Sequence, residues 1–174
     1  MKLKAFLGSL AALSASGALR SNPTATPGSG GAAFRLPIIL PYLSPGDLIA
    51  ITCPACCVTL QEIQPAKTQI ESWGIQVRIG DTVVKKGFTF GGGDSERTAD
   101  FQGMIDDSKL NAILCARGGY GSVRIVDQLN FTRFNKEPKW IIGFGDIMEL
   151  HGHLIGHANA ASLHSKMCNS FPDD

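Results

Sequence analysis

Strand-like and helix-like segments alternate along most of this chain, and this alternation limits the folds open to it more than any other feature. Short apolar runs rich in β-branched residues are each followed by a segment whose apolar residues recur at helical spacing. The predicted strands are residues 48–52, 75–83, 111–117, 139–144 and 161–164, and the predicted helices are residues 59–74, 94–107, 122–129 and 146–155. Repeated βαβ units predict a three-layer α/β/α domain with a mainly parallel sheet, of the Rossmann or flavodoxin type.

Capping residues indicate where three of these helices begin or end. Gly74 follows the last apolar residue of the first helix and is a typical C-terminal stop. Asp94 is the predicted N-cap of the second helix, and the charges that follow it, including Arg97 and Asp100, are interpreted as a solvated face. Ser122 is interpreted as a cap of the third helix rather than as a nucleophile.

The first forty residues differ in composition from the rest of the chain. Residues 1–19 combine two lysines with a run of small and apolar side chains, as a signal peptide does, and this favours export to the periplasm. Without such a signal the expected location is the cytoplasm. Residues 20–40 are rich in Ser, Pro, Thr and Gly and predict a linker, so the folded domain is expected over residues 41–174. The apolar run is short for a membrane span, and no other segment is long enough.

Charge and ligand spacing exclude some classes of function. The net charge is +1 without a basic stripe, which does not suggest a nucleic-acid partner. Cys53 and Cys56 form a CxxC, but no second pair follows at zinc-finger spacing, so the simpler interpretation is buried or loop thiols. His153 and His157 are four residues apart, yet the spacing fixes no third ligand. We therefore expect no metal site.

Two glycine-rich turns follow the third and fourth predicted strands, at the carboxyl ends where parallel sheets bind ligands. In ARGGYGSVR, residues 116–124, free amides could cradle a phosphate or supply half of an oxyanion hole, or the turn could simply pack against its neighbour. The local sequence leaves all three interpretations open. WIIGFGD, residues 140–146, predicts a sharp strand–turn–helix elbow of the kind that exposes a nucleophile, but its tip is Gly145.

These motifs together match a known family pattern. An RGGYG turn, a helix that contains Arg124, and then PKWIIGFGD stand in the order and spacing of the LD-carboxypeptidases, also called muramoyltetrapeptide carboxypeptidases, and of the related microcin-immunity peptidases. The chain resembles the N-terminal domain of that family over residues 41–167. The resemblance implies metal-free serine peptidases without a cofactor, which cleave an L,D-amide bond and release terminal D-alanine from peptidoglycan tetrapeptides.

The resemblance also assigns expected roles to individual residues. The family's nucleophilic serine falls at Gly145, and the backbone N–H of Asp146 would be one oxyanion donor, with the other supplied by the glycine turn. The substrate-binding residues that the resemblance implies are Gly118, Gly119, Tyr120 and His164.

Departures from the family pattern predict an inactive, truncated pseudoenzyme. Gly145 has no side chain to attack a carbonyl, and Met148 replaces the usual threonine. The family's Glu and His partners belong to a C-terminal domain, beyond Asp174. The expected partners are a peptidoglycan-derived peptide and a second copy in a homodimer. The alternatives are a non-catalytic muropeptide-binding module and a phosphate or nucleotide binder that uses the GGYG turn.

Overall fold

Five parallel strands form the centre of the molecule in the computed structural model, which describes residues 37–171. The strands are β1 (Leu48–Thr52), β2 (Gln76–Ile79), β3 (Ala112–Cys115), β4 (Trp140–Gly143) and β5 (Leu163–His164). Their order across the sheet is β2-β1-β3-β4-β5, and each neighbouring pair is parallel. The predicted α/β fold with a parallel sheet is confirmed.

Three α-helices and several single turns connect the strands. The helices are α1 (Leu60–Ser72), α2 (Asp94–Asp106) and α3 (Met148–His153). The 3-10 turns are Asp81–Val84, Ser122–Arg124, Val126–Gln128, Gly145–Ile147 and Cys168–Ser170, and a π-helical turn covers Leu154–Ala158. The regular helix predicted for residues 122–129 is therefore wrong. Its β-branched residues Val123, Ile125 and Val126 lower helix propensity, and eight residues are too few to offset that cost.

Apolar side chains cover both faces of the sheet. Residues Ile113 of β3 and Ile141 of β4 face one core, which is closed by α2 and α3. Ile51 of β1 and Leu114 of β3 face the other core, which is closed by α1. Successive strand residues point to opposite faces, so adjacent residues such as Ile113 and Leu114 serve different cores. Each fully buried side chain of this size contributes about 1.5–3 kcal/mol relative to exposure.

The ends of α1 match the sequence prediction, whereas the start of α2 corrects it. Thr59 caps α1 by accepting a hydrogen bond from the Glu62 amide, and Gly74 follows the helix with a φ of +80°. The N-cap of α2 is Gly93, not Asp94, and the Glu96 carboxylate accepts a hydrogen bond from the Gly93 amide. Asp94 is drawn away from the capping role because its carboxylate pairs with two arginines.

The folded region begins earlier than predicted. Residues 38–40 were assigned to the linker, but Ile38 pairs with Ala160 in an isolated parallel bridge, and Leu40 is buried. The predicted signal peptide and the rest of the predicted linker lie outside the described residues. Within residues 37–171, no helix has the length and apolar character needed to cross a membrane.

The strand order creates a switch point between β1 and β3. The chain leaves β1 toward β2 on one side and then returns to β3 on the other side. Ligands of open parallel sheets bind at the carboxyl ends of the strands beside such a point. Three segments meet there: the loop after β1 (residues 53–58), the glycine turn after β3 (residues 117–121) and the turn after β4 (residues 144–147).

Candidate functional site

The turn after β4 forms the elbow that the sequence predicts. β4 ends at Gly143, and residues 145–147 make a 3-10 turn that leads directly into α3. Gly145 has a φ of +63°, in the left-handed region that side chains other than glycine rarely adopt. A Cβ atom on Gly145 would have no atom within 4 Å. A side chain at the tip of the elbow would therefore project into open space.

The glycine turn packs directly against the elbow. A Cβ atom on Gly118 would lie 2.9 Å from the carbonyl oxygen of Phe144 and 3.4 Å from the amide nitrogen of Asp146. On the other side, a Cβ atom on Gly119 would lie 2.4 Å from Cys56 Sγ. Side chains at either glycine would force these segments apart. Of the three interpretations of this turn, the packed turn is the one that its contacts favour.

Two hydrogen bonds join Ser122 to Asp146 across the two turns. The Ser122 amide donates to Asp146 Oδ2 at 2.7 Å, and Ser122 Oγ donates to the Asp146 carbonyl oxygen at 2.5 Å. Ser122 is fully buried. The interpretation of Ser122 as a helix cap is wrong, because its hydroxyl bonds to the elbow instead. We refer to these two bonds as the Ser122–Asp146 clamp.

Asp146, whose backbone N–H is the predicted oxyanion donor, lies in the turn after β4. Gly145 and Asp146 open a 3-10 turn, and the first amides of such a turn have no acceptor within it. A Cβ atom on Gly118, in the neighbouring turn, would lie 3.4 Å from the Asp146 amide nitrogen. The structure thus brings Gly118, Gly145 and Asp146 together. Gly119 faces the loop after β1, and Tyr120 is exposed, with its ring 6.1 Å from that of Phe90.

Two histidines border the elbow. His164, the last residue of β5, is paired in register with Gly143 and is exposed, with its ring 6.1 Å from the Phe144 ring. His151 is buried, and its Nε2 lies 3.0 Å from the Gly143 carbonyl oxygen. Burial lowers the pKa of His151, although the contact with Gly143 acts in the opposite direction. His164 thus lies beside the elbow, and its role in substrate binding stays a prediction.

Arg97 supports the glycine turn from inside the protein, a role that the sequence did not predict. Its guanidinium is fully buried and donates to the carbonyl oxygens of Pro54 and, at 2.8 Å, Gly121. It also pairs with Asp94 at 2.5 Å and lies over the Phe90 ring. The interpretation of this helix start as a solvated face is wrong for Arg97. The only sequence signal for this role was the position of Arg97 three residues after Asp94, which allows an ion pair. The carbonyl groups that accept its other hydrogen bonds lie in distant loops, so the sequence did not reveal them.

The remaining histidines and cysteines do not converge on an ion. The rings of His153 and His157 stack with centroids 4.1 Å apart and planes 18° apart, so their in-plane lone pairs do not meet. No group of three His, Cys, Asp or Glu side chains suited to a metal occurs within residues 37–171. The cysteines of the described region are free thiols, and burial raises the pKa of Cys53 to about 12, which makes it a poor nucleophile.

Comparison with known proteins shows which protein family this chain resembles. Residues 49–165 match the family model of the LD-carboxypeptidase N-terminal domain. A probable murein peptide carboxypeptidase of Bacillus subtilis (strain 168) is 30% identical over 128 residues, which cover 74% of this chain and 40% of the relative.

Two solved structures of other proteins share the fold of this chain. The muramoyltetrapeptide carboxypeptidase from Oxalobacter formigenes superposes with a TM-score of 0.64 at 26% identity, over 71% of this chain and 41% of that one. The microcin C7 self-immunity protein MccF, in complex with aspartyl sulfamoyl adenosine, has a TM-score of 0.73 at 20% identity, over 78% of this chain and 42% of that one. The chain therefore spans about 40% of the length of these relatives.

Proposed function

We propose, because the chain belongs to the LD-carboxypeptidase family, that its elbow binds the D-alanine end of peptidoglycan-derived peptides and does not cleave them. The family pattern given in the sequence analysis implies a serine nucleophile at the tip of the elbow, where this chain has Gly145. The supporting observation is that the elbow keeps its left-handed turn and open tip although it carries no side chain.

The loss of a nucleophile has a large and predictable effect on catalysis. In serine hydrolases, removal of the nucleophile lowers turnover by about a million-fold, and binding together with the oxyanion hole retains about a thousand-fold. The nearest buried hydroxyl in the two turns, Ser122 Oγ, is occupied by its bond to the Asp146 carbonyl. It is not available to replace the missing group. The amides that would face a carbonyl oxygen belong to the backbone and do not depend on the residue at position 145.

The proposed ligand class follows from the named relatives. The Bacillus subtilis relative is described as a murein peptide carboxypeptidase, and the Oxalobacter formigenes protein as a muramoyltetrapeptide carboxypeptidase. The N–H groups of such an elbow suit the carbonyl and carboxylate oxygens of a peptide end, because backbone N–H groups donate to both.

Calorimetric titration with two peptides tests the proposal. A cell-wall tetrapeptide that ends in D-alanine should bind more tightly than the tripeptide that lacks this residue, and incubation should release no D-alanine. A Gly145→Phe variant should lose the difference between the peptides because the side chain fills the open tip of the elbow. Gly152→Phe is the control, since Gly152 lies exposed in α3 with open space around its Cβ position.

Three results would contradict the proposal. The first is D-alanine release by the unmodified chain, and the second is equal affinity for tetrapeptide and tripeptide. The third is tighter binding of adenosine monophosphate or inorganic phosphate than of either peptide, which would favour the phosphate-binding alternative.

A further inference from the structure

A second cleft lies on the carboxyl edge of the sheet, beside the glycine turn. It has a volume of about 650 Å³ and lies between the first turn of α1, the segment that follows β2, and Arg117. This volume falls within the range of sites for small ligands. The proposed function of the elbow does not explain what this cleft binds.

Positive charge dominates the lining of this cleft. Three cations, Lys85, Lys86 and Arg117, face a single lining carboxylate, Glu62. The closest approach of Arg117 to Glu62 is 3.9 Å, which is too long for a hydrogen bond. Within residues 37–171, Lys86 has no ion-pair partner, whereas Lys85 pairs with Glu96 at 2.9 Å. Among the described residues, Lys86 and Arg117 therefore have no hydrogen-bonded carboxylate, although Glu62 lies 3.9 Å from Arg117.

Apolar side chains form the opposite wall of the cleft. Leu60 and Val84 are both more than half exposed there, and Val58 and Val83 are buried beneath them. Exposed aliphatic surface beside cations that have no hydrogen-bonded carboxylate suits a ligand that has an aliphatic portion and a carboxylate. A glutamate side chain in a peptide has both.

The cleft and the elbow are joined through the glycine turn. Arg117 immediately precedes Gly118, where an added Cβ atom would lie 2.9 Å from the Phe144 carbonyl oxygen and 3.4 Å from the Asp146 amide nitrogen, so this turn packs closely against the elbow. One peptide residue spans about 3.5 Å when extended. A peptide whose end lies at the elbow therefore needs only a few residues to reach the cleft.

We propose that this cleft binds an acidic side chain of the peptide, with Arg117 as the main contact and Lys86 as the second. This inference rests on the proposed function for the orientation of the bound peptide. The expected preference for an acidic side chain rests only on the residues that line the cleft. Arg117 is the stronger candidate because a guanidinium can bind a carboxylate through two parallel hydrogen bonds.

Matched peptides and matched variants test this inference with the full chain. Two synthetic tetrapeptides end in D-alanine and differ only in having glutamate or glutamine two residues before it. We expect the glutamate peptide to bind about tenfold more tightly at low salt and to lose part of this preference at high salt. The Arg117→Gln variant should bind both peptides about equally.

The control variant is Arg133→Gln. Arg133 resembles Arg117 in exposure and in having one distant carboxylate, Glu137 at 4.0 Å, but it does not line the cleft. This variant should keep the preference for glutamate. Equal affinity of the unmodified chain for both peptides, or an unchanged preference in Arg117→Gln, would overturn the inference.

A second pair of peptides, with the terminal carboxylate converted to an amide and the D-alanine omitted, separates this inference from the proposed function. A glutamate preference in this pair, with affinities equal to those of the first pair, shows no effect of D-alanine, and it supports the cleft and contradicts the elbow. Dependence on D-alanine without a glutamate preference supports the elbow and overturns the cleft. Absence of binding by all four peptides overturns both.

Discussion

Gly145 occupies a left-handed backbone conformation that costs a residue with a side chain about 1 kcal/mol or more. Glycine adopts it without that cost. In a family member with serine at this position, the same backbone would place a strained residue at the tip of the elbow, as nucleophile elbows commonly do. In this chain the shape of the elbow is kept and the strain is absent.

Substitution of Gly145 should therefore reduce stability although there is space for a side chain. We expect Gly145→Ala to lower the free energy of unfolding by about 1 kcal/mol. Gly152→Ala is the matched control, because Gly152 lies exposed within α3 and alanine should raise stability by about 0.5–1 kcal/mol there. Urea denaturation measures both. A stabilising effect at position 145 would contradict the left-handed conformation.

His151 should make the stability of the protein depend on pH. Burial lowers its pKa in the folded state below that of the unfolded chain, and the charge of His164 adds to this effect. Between the two pKa values the unfolded chain binds a proton that the folded chain does not. The stabilisation is thus present above the unfolded value, about 6.5, and is lost as the pH falls toward the folded value.

We expect the free energy of unfolding to decline from pH 7 toward pH 5, as measured by urea denaturation at each pH. His151→Gln should show a shallower decline, because glutamine can still donate to the Gly143 carbonyl but does not titrate. An identical slope in the two proteins would show that His151 is not the responsible group.

Single residues were predictable from sequence where their role depends on near neighbours. Gly145 at the tip of the elbow and Gly74 after α1 could both be read from adjacent strand and helix patterns. Ser122 and Arg97 could not, because their partners, Asp146 and Gly121, lie 24 residues away in the chain. Only the folded sheet brings those residues together.

At the scale of the elements, α2 is connected to the glycine turn by buried and exposed arginines that share one aspartate. Arg97 is fully buried, whereas Arg124 is about half exposed, and both pair with Asp94. The hydrogen bond from Arg124, followed by that from Arg97, lowers the pKa of Asp94. The two arginines have the same partner but very different environments. Substituting each in turn therefore distinguishes the effect of burial on stability from the effect of the ion pair.

Removal of Arg97 should destabilise the protein far more than removal of Arg124. Arg97→Met leaves the carbonyls of Pro54 and Gly121 without their buried donor, and we expect a loss of about 2–4 kcal/mol. Arg124→Met breaks an ion pair that water screens and should cost much less. Thermal denaturation would reveal the difference, and equal losses would show that pairing rather than burial determines the role of Arg97.

Strands were easier to predict than the helices that join them. Strands β1, β3 and β4 are mainly apolar and buried, because residues covered on both faces of a parallel sheet leave a clear local signal. In contrast, β2 alternates polar and apolar residues, and β5 has only two residues. The helix predicted for residues 122–129 does not form, because this segment is too short and contains too many β-branched residues for a regular helix. The Ser122–Asp146 clamp and the neighbouring elbow fix their course instead.

At the scale of the whole molecule, three large apolar side chains are exposed beside the elbow. Phe144 belongs to the elbow, Met148 begins α3, and Leu163 lies on the edge strand β5 next to β4. We call this surface the elbow face. Exposed apolar surface is a common site of protein association, and the homodimer expected from the sequence stays a prediction.

We expect the chain to self-associate through the elbow face. Met148→Lys and Leu163→Lys should each shift the protein toward monomer in sedimentation velocity experiments at increasing concentration, because a charge at an apolar contact must lose its hydration. Trp73→Lys is the control, since Trp73 is exposed at the opposite end of the sheet, after α1. A monomer at every concentration would contradict the prediction.

The strand order also bears on how the chain folds during its synthesis. β2 is made after β1 and pairs with it, β3 then adds to the free side of β1, and β4 and β5 follow outward in turn. No strand has to insert between two that have already paired. The sheet can therefore grow from its centre as the polypeptide leaves the ribosome, and each new strand meets an edge that is already in place. The elbow and its clamp to Ser122 form only when β4 has arrived, so the candidate site is among the last parts of the sheet to be completed.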